Sequence, residues 1–174
     1  MGIRPLSTTR LCAAKKSSHA CRKSGAPFVV TVEPNEERAM RFMIIVKATK
    51  DTEAGVKPEE KLFQDMAAYH EDMAQAGVLL AGSGLKPSAK GWRIKYDGDK
   101  RTLIDGPFAE TKELIAGYTL IDVKSRAEAV EWSRRFPNPM GEGETCEIEV
   151  RELYELEDFG PSPAVERFRE LGMG

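Results

Sequence analysis

Arg41-Phe42-Met43-Ile44-Ile45-Val46-Lys47-Ala48 is the stretch that decides the fold. Side chains alternate across a strand, so Phe42, Ile44, Val46 and Ala48 point one way while Met43 and Ile45 point the other. Both faces are apolar. A second strand of the same kind runs over Gly117–Val123, with Tyr118 and Leu120 on one face and Thr119, Ile121 and Val123 on the other.

Between and beyond these strands the punctuation is regular. Pro58, Glu59 and Glu60 open a helix with acidic residues at its positive end, and it runs to about Ala76 with Gly77 as its left-handed cap. The stripe Leu62, Met66, Tyr69, Met73 faces the sheet. Its neighbour Phe63, Ala67, His70, Ala74 places His70 at the margin of that face. Val78–Leu80 begin a strand that breaks at Gly82-Ser83-Gly84. Trp92, Ile94 and Tyr96 alternate with Arg93 and Lys95, Asp97-Gly98 turns the chain, and Arg101–Ile104 returns, which predicts a hairpin. Ser125 and Glu128 form a capping box for a helix carrying Ala129, Val130, Trp132 and Phe136 inward as far as Pro137. Cys146, Ile148 and Val150 alternate with Glu147, Glu149 and Arg151, predicting an edge strand. Ser162-Pro163 caps a short terminal helix bearing Val165, Phe168 and Leu171.

The order strand, helix, strand, hairpin insert, strand, helix, strand predicts an α+β fold of ferredoxin-like, split β-α-β plan, with both helices on one face of an antiparallel sheet. Two helices cover one face only. Met43, Ile45, Ile121 and Val123 are then expected on the open face, and covering them calls for a homodimer packed sheet to sheet.

Composition narrows the function classes. The 174 residues are 41% hydrophobic and 31% charged, a balance suited to a globular chain, and no apolar run is long enough to span a membrane. Cys12, Cys21 and Cys146 form no even framework and no C-x-x-C, which points to a reducing, cytoplasmic setting. Residues 1–39 hold seven basic and three acidic side chains, a net of +4, leaving −6 on the rest of a chain whose total is −2. An acidic body lacks the footprint that nucleic acid requires. Residues 1–39 read as a disordered basic leader or upstream extension, with an organelle transit peptide as the alternative. Residues 40–152 form the domain, and 153–174 a tail. Cys12, His19 and Cys21 supply three ligands where structural zinc takes four, so no metal is expected.

One string is too long to be chance: Asp105-Gly106-Pro107-Phe108-Ala109-Glu110-Thr111-Lys112-Glu113, then Gly117-Tyr118. It resembles the DGPF signature of the YCII-related family. The likeness extends through the Met40–Val46 strand, Gly77-Val78-Leu79-Leu80, Glu128-Ala129-Val130-Glu131-Trp132 and Glu149-Val150-Arg151. The resemblance implies a dimeric α+β barrel. It also implies a small enzyme with a histidine and an aspartate in a cleft, some relatives acting on chlorinated aromatic rings and others having no assigned activity. The matching pair here is His70 and Asp105.

An aspartate beside an imidazole holds one tautomer and makes the ring a better base. Equally, Asp105 can cap its own turn, and His70 can be a half-buried helix residue. Glu110, Lys112 and Glu113 read as solvated charges or, beside a cleft, as substrate contacts, with Lys112 the one able to receive an anionic group. Ser83 is a candidate substrate contact without the surroundings of a nucleophile, and Phe108 and Tyr118 are candidate cleft walls. Two classes follow: a cofactor-independent lyase, isomerase or hydrolase acting on a small acid, or a dimeric small-molecule-binding module without turnover. RNA binding ranks third, since an aromatic RNP-like string is missing. No P-loop, dinucleotide fingerprint or H-E-x-x-H is present, so no cofactor is expected.

Overall fold

The computed structural model describes residues 39–109 and 113–173, and the Cys12, His19 and Cys21 group lies outside them. The order is β1 (Met40–Lys47), α1 (Lys50–Glu53), α2 (Glu60–Gln75), β2 (Leu79–Gly84), β3 (Trp92–Asp97), β4 (Lys100–Asp105), β5 (Ile115–Val123), α3 (Arg126–Arg134), β6 (Ile148–Glu152) and α4 (Pro163–Glu170). Strands β2, β5, β1 and β6 form one antiparallel sheet in that order, and β3 pairs with β4 in a separate hairpin. The class is α+β, and no barrel closes among the described residues.

Helix ends follow local chemistry. The Ser125 hydroxyl accepts from the Glu128 amide at 3.2 Å. The Glu128 carboxylate reaches one residue further back than a capping box requires, to the Lys124 amide at 2.9 Å. Ser162 caps α4 through the Val165 amide, with Pro163 in the first turn. Helix α1 interrupts the stretch expected as a loop, because Thr49 and Thr52 satisfy each other's amides in a closed box. Strand β6 starts at Ile148, two residues after Cys146, and lies at the sheet edge as its wet face predicts.

The core joins Phe42 and Ile44 of β1 with Ile121 and Val123 of β5, Tyr69 and Met73 of α2, Val78, and Ala129 of α3. Ile44, Met73 and Ile121 have no exposed surface. This corrects one expectation. Phe42 pairs with Ile121 and Met43 with Leu120, so Ile121 and Val123 face the helices, and the residues beside Met43 and Ile45 on the other face are Tyr118 and Leu120. A strand apolar on both sides does not say which side the helices take; the pairing register decides it.

Strand β2 does not break at its glycines. It shifts register between Leu79 and Ala81 and continues along β5 to Gly84. Gly117 permits this, since a β carbon there would lie 3.0 Å from the Ser83 carbonyl oxygen. The tail is fastened to β1 by Arg41, whose guanidinium donates to both Glu155 carboxylate oxygens at 2.9 and 2.8 Å, a pairing that holds its pKa above the usual value.

Candidate functional site

His70 lies on α2 beside buried Tyr69, half-buried as its stripe predicts. Its Nδ1 is 2.7 Å from the Met66 carbonyl oxygen, one turn back on the same helix. A carbonyl only accepts, so this nitrogen carries the proton. Nε2 lies 2.9 Å from the Thr119 hydroxyl, on a residue only 2% exposed. In the neutral ring Nε2 is then the acceptor and Thr119 the donor. Gly82 pairs with Thr119 in the sheet, and a β carbon on Gly82 would come within 3.2 Å of Nε2. The glycine that looked like a strand breaker makes room for the imidazole. Because β2 is an edge strand and Gly82 is exposed, the ring sits under an open edge. Tyr69 and Phe136 stand edge-on to it, with centroids 5.6 and 6.5 Å away. The Tyr69 hydroxyl donates to the Trp132 carbonyl, and burial pushes its pKa up to about 12.

Asp105 ends β4 opposite Trp92. It is exposed and makes no side-chain hydrogen bond or ion pair among the described residues. Neither nitrogen of His70 bonds Asp105; the orienting position is filled by Met66. The turn after Asp105 is docked on a short 3₁₀ turn at Ser88–Lys90. The Ser88 amide donates to both oxygens of Glu53 at 3.0 and 3.2 Å, its hydroxyl donates to the same carboxylate, and it accepts from the Phe108 amide at 3.1 Å. The Gly106 amide donates to the Gly91 carbonyl at 3.1 Å, and the Gly106–Pro107 bond is cis. The Arg93 guanidinium stacks 4.0 Å over the Phe108 ring, so Phe108 closes a structural joint.

The other candidates are dispersed. Ser83 and Tyr118 are register partners one step along from Gly82 and Thr119, so their side chains lie on the sheet face opposite His70. Ser83 makes only a 3.4 Å contact with the Gly84 carbonyl. Glu113 is exposed. Glu110 and Lys112 lie outside the described residues. Sequence reasoning missed the Met66 carbonyl, Thr119, Glu53 and Ser88. Only Thr119 left a signal, as a lone hydroxyl on the apolar row of β5.

Residues 40–154 match the profile of the YCII-related domain. An uncharacterized protein of Rhizobium meliloti (strain 1021) is 31% identical over 96 residues, spanning 55% of this chain and 77% of that protein.

Proposed function

The chain belongs to the YCII-related family, and from that premise we propose that it is a cofactor-independent enzyme in which His70 is the general base for a small organic acid, aromatic acids included. The observation that carries this reading is the fixed ring. Met66 holds the proton on Nδ1, which leaves the Nε2 lone pair as the acceptor beside the open edge at Gly82. A base held in one tautomer is what lyase, isomerase or hydrolase chemistry needs for its proton transfer. Asp105 is then free of the orienting role. Lys112, in the segment that follows, is the candidate to receive the carboxylate of an acid substrate.

The strand order and the placing of α2 and α3 support a ferredoxin-like plan. Met43, Tyr118 and Leu120, half-buried on the sheet face away from α2 and α3, support a dimer through that face, closing a barrel from two chains. No helix among the described residues is long and apolar enough to cross a membrane; a cytoplasmic location is part of the proposal and rests on the cysteine pattern.

The test is a panel of small aliphatic and aromatic acids incubated in deuterium oxide, read by NMR for exchange and by mass spectrometry for product. His70→Gln, folded by circular dichroism, is expected to lose turnover by about 10²- to 10⁴-fold. Ligands that bind both forms and return unchanged overturn the enzymatic reading and favour a binding module. That second reading has its own support, since both ring nitrogens are satisfied within the chain and Thr119 is buried.

A further inference from the structure

The β3–β4 hairpin exposes every one of its residues. Its pairing places Trp92 beside Asp105, Ile94 beside Leu103 and Tyr96 beside Arg101, and strand alternation brings these six side chains to one face. Trp92 and Tyr96 are each 65% exposed, Leu103 is 56% and Ile94 40%. The opposite face is more polar: Arg93, stacked on Phe108, stands there with Lys95, Thr102 and a single large apolar side chain, Ile104, 43% exposed. A two-stranded ribbon with a bare apolar face is marginal alone, so this face calls for a partner.

The order of residues along the face identifies that partner. At the base stand Trp92 and an unpaired carboxylate, Asp105; in the middle the aliphatic pair Ile94 and Leu103; at the tip Tyr96 with Arg101, whose guanidinium lies 5.2 Å from the Tyr96 ring centre. Two such faces can be related by a two-fold axis lying between them, perpendicular to the strands. The base of one hairpin then meets the tip of the other. Trp92 of one copy meets Tyr96 of the second, Ile94 and Leu103 meet their own counterparts, and each Asp105 meets an Arg101. With the axis along the strands, like rows would meet and the two charges would stay unpaired. Self-complementarity of this kind is what an isologous contact requires. We propose that the Trp92–Asp105 face of the hairpin is a two-fold interface with a second copy of this chain, closed by reciprocal Asp105–Arg101 ion pairs. It is distinct from any contact through the open face of the four-stranded sheet, and it gives the aspartate of the DGPF string a role in assembly.

The test uses the full chain, with mass followed by light scattering over a concentration series. Arg101→Asp alone and Asp105→Arg alone each place like charges at both ends of the contact, and each is expected to raise the dissociation constant of this step about tenfold or more. The two single variants mixed in equal amounts restore opposite charges at both ends, and the mixture is expected to reassemble as the wild type does. An intrachain effect cannot be rescued by mixing. Circular dichroism verifies that each variant is folded; should a reversal unfold the chain, Arg101→Gln and Asp105→Asn carry the test of loss. A wild-type mass of one chain at every concentration overturns the proposal. So do single variants that assemble unchanged, or a mixture that does not recover.

Discussion

Truncating Ile121 to alanine lowers the unfolding free energy by about 2–5 kcal/mol, while the same truncation at neighbouring Leu120 costs less than half as much. Ile121 is fully buried, faces Phe42 on β1 and Leu79 on β2, and joins the cluster holding Tyr69 and Met73. Removing three carbons there opens a cavity among well-packed neighbours that relax only in part. Leu120 occupies the opposite face and retains some solvent contact in a single chain, so its truncation is partly filled by water. Urea unfolding measures both, and an unchanged denaturant slope shows that stability alone has moved. Equal losses at the two positions would mean that the register places them differently.

Gly106→Ala is the second large effect. An added β carbon would lie 2.0 Å from the Ser88 carbonyl oxygen, 2.6 Å from its carbon and 3.2 Å from the Ala89 amide nitrogen. All three are backbone atoms, so no side chain can swing away. The cost is expected at about 2–3 kcal/mol, the range of a forced overpacking, and it falls where the turn after Asp105 docks on Ser88. Hydrogen exchange is then expected to quicken at Gly106 and Phe108, whose amides are held by Gly91 and Ser88. Gly98→Asn is the control. Gly98 has a φ of +57° with open space around it, a conformation that asparagine tolerates, and the change is expected to cost less than about 1 kcal/mol. A Gly106→Ala chain as stable as the control would show that the joint is not tight.

Much of this was readable along the chain. The α2 stripe, the Ser125 and Ser162 caps, the β3–β4 hairpin, though its turn falls at Gly98-Asp99 and not at Asp97-Gly98, and the edge position of β6 all follow from local spacing, and local spacing is what a sequence displays. The string Asp105–Glu113 located the family because it is long. What stayed hidden depends on pairing at a distance. Which side of β5 is buried is set by its register with β1. Gly82 reads as a breaker in the sequence because its purpose, clearance for His70, comes from a helix residue twelve positions away. Ser88 and Glu53, thirty-five residues apart, hold the turn through contacts that no periodicity announces. The partner expected for His70 was a side chain, Asp105; the partner found is a backbone carbonyl, and every residue has one.

His70 holds its proton on Nδ1 and offers Nε2 as the acceptor. Nitrogen NMR of the uniformly labelled chain reads this tautomer, at about pH 8, above the ordinary histidine range near 6.5, with His70→Gln identifying the signals against those of His19. The Met66 carbonyl and the Thr119 hydroxyl predict a protonated Nδ1 and a bare Nε2 hydrogen-bonded to a hydroxyl. A proton on Nε2, with Nδ1 bare, would contradict it.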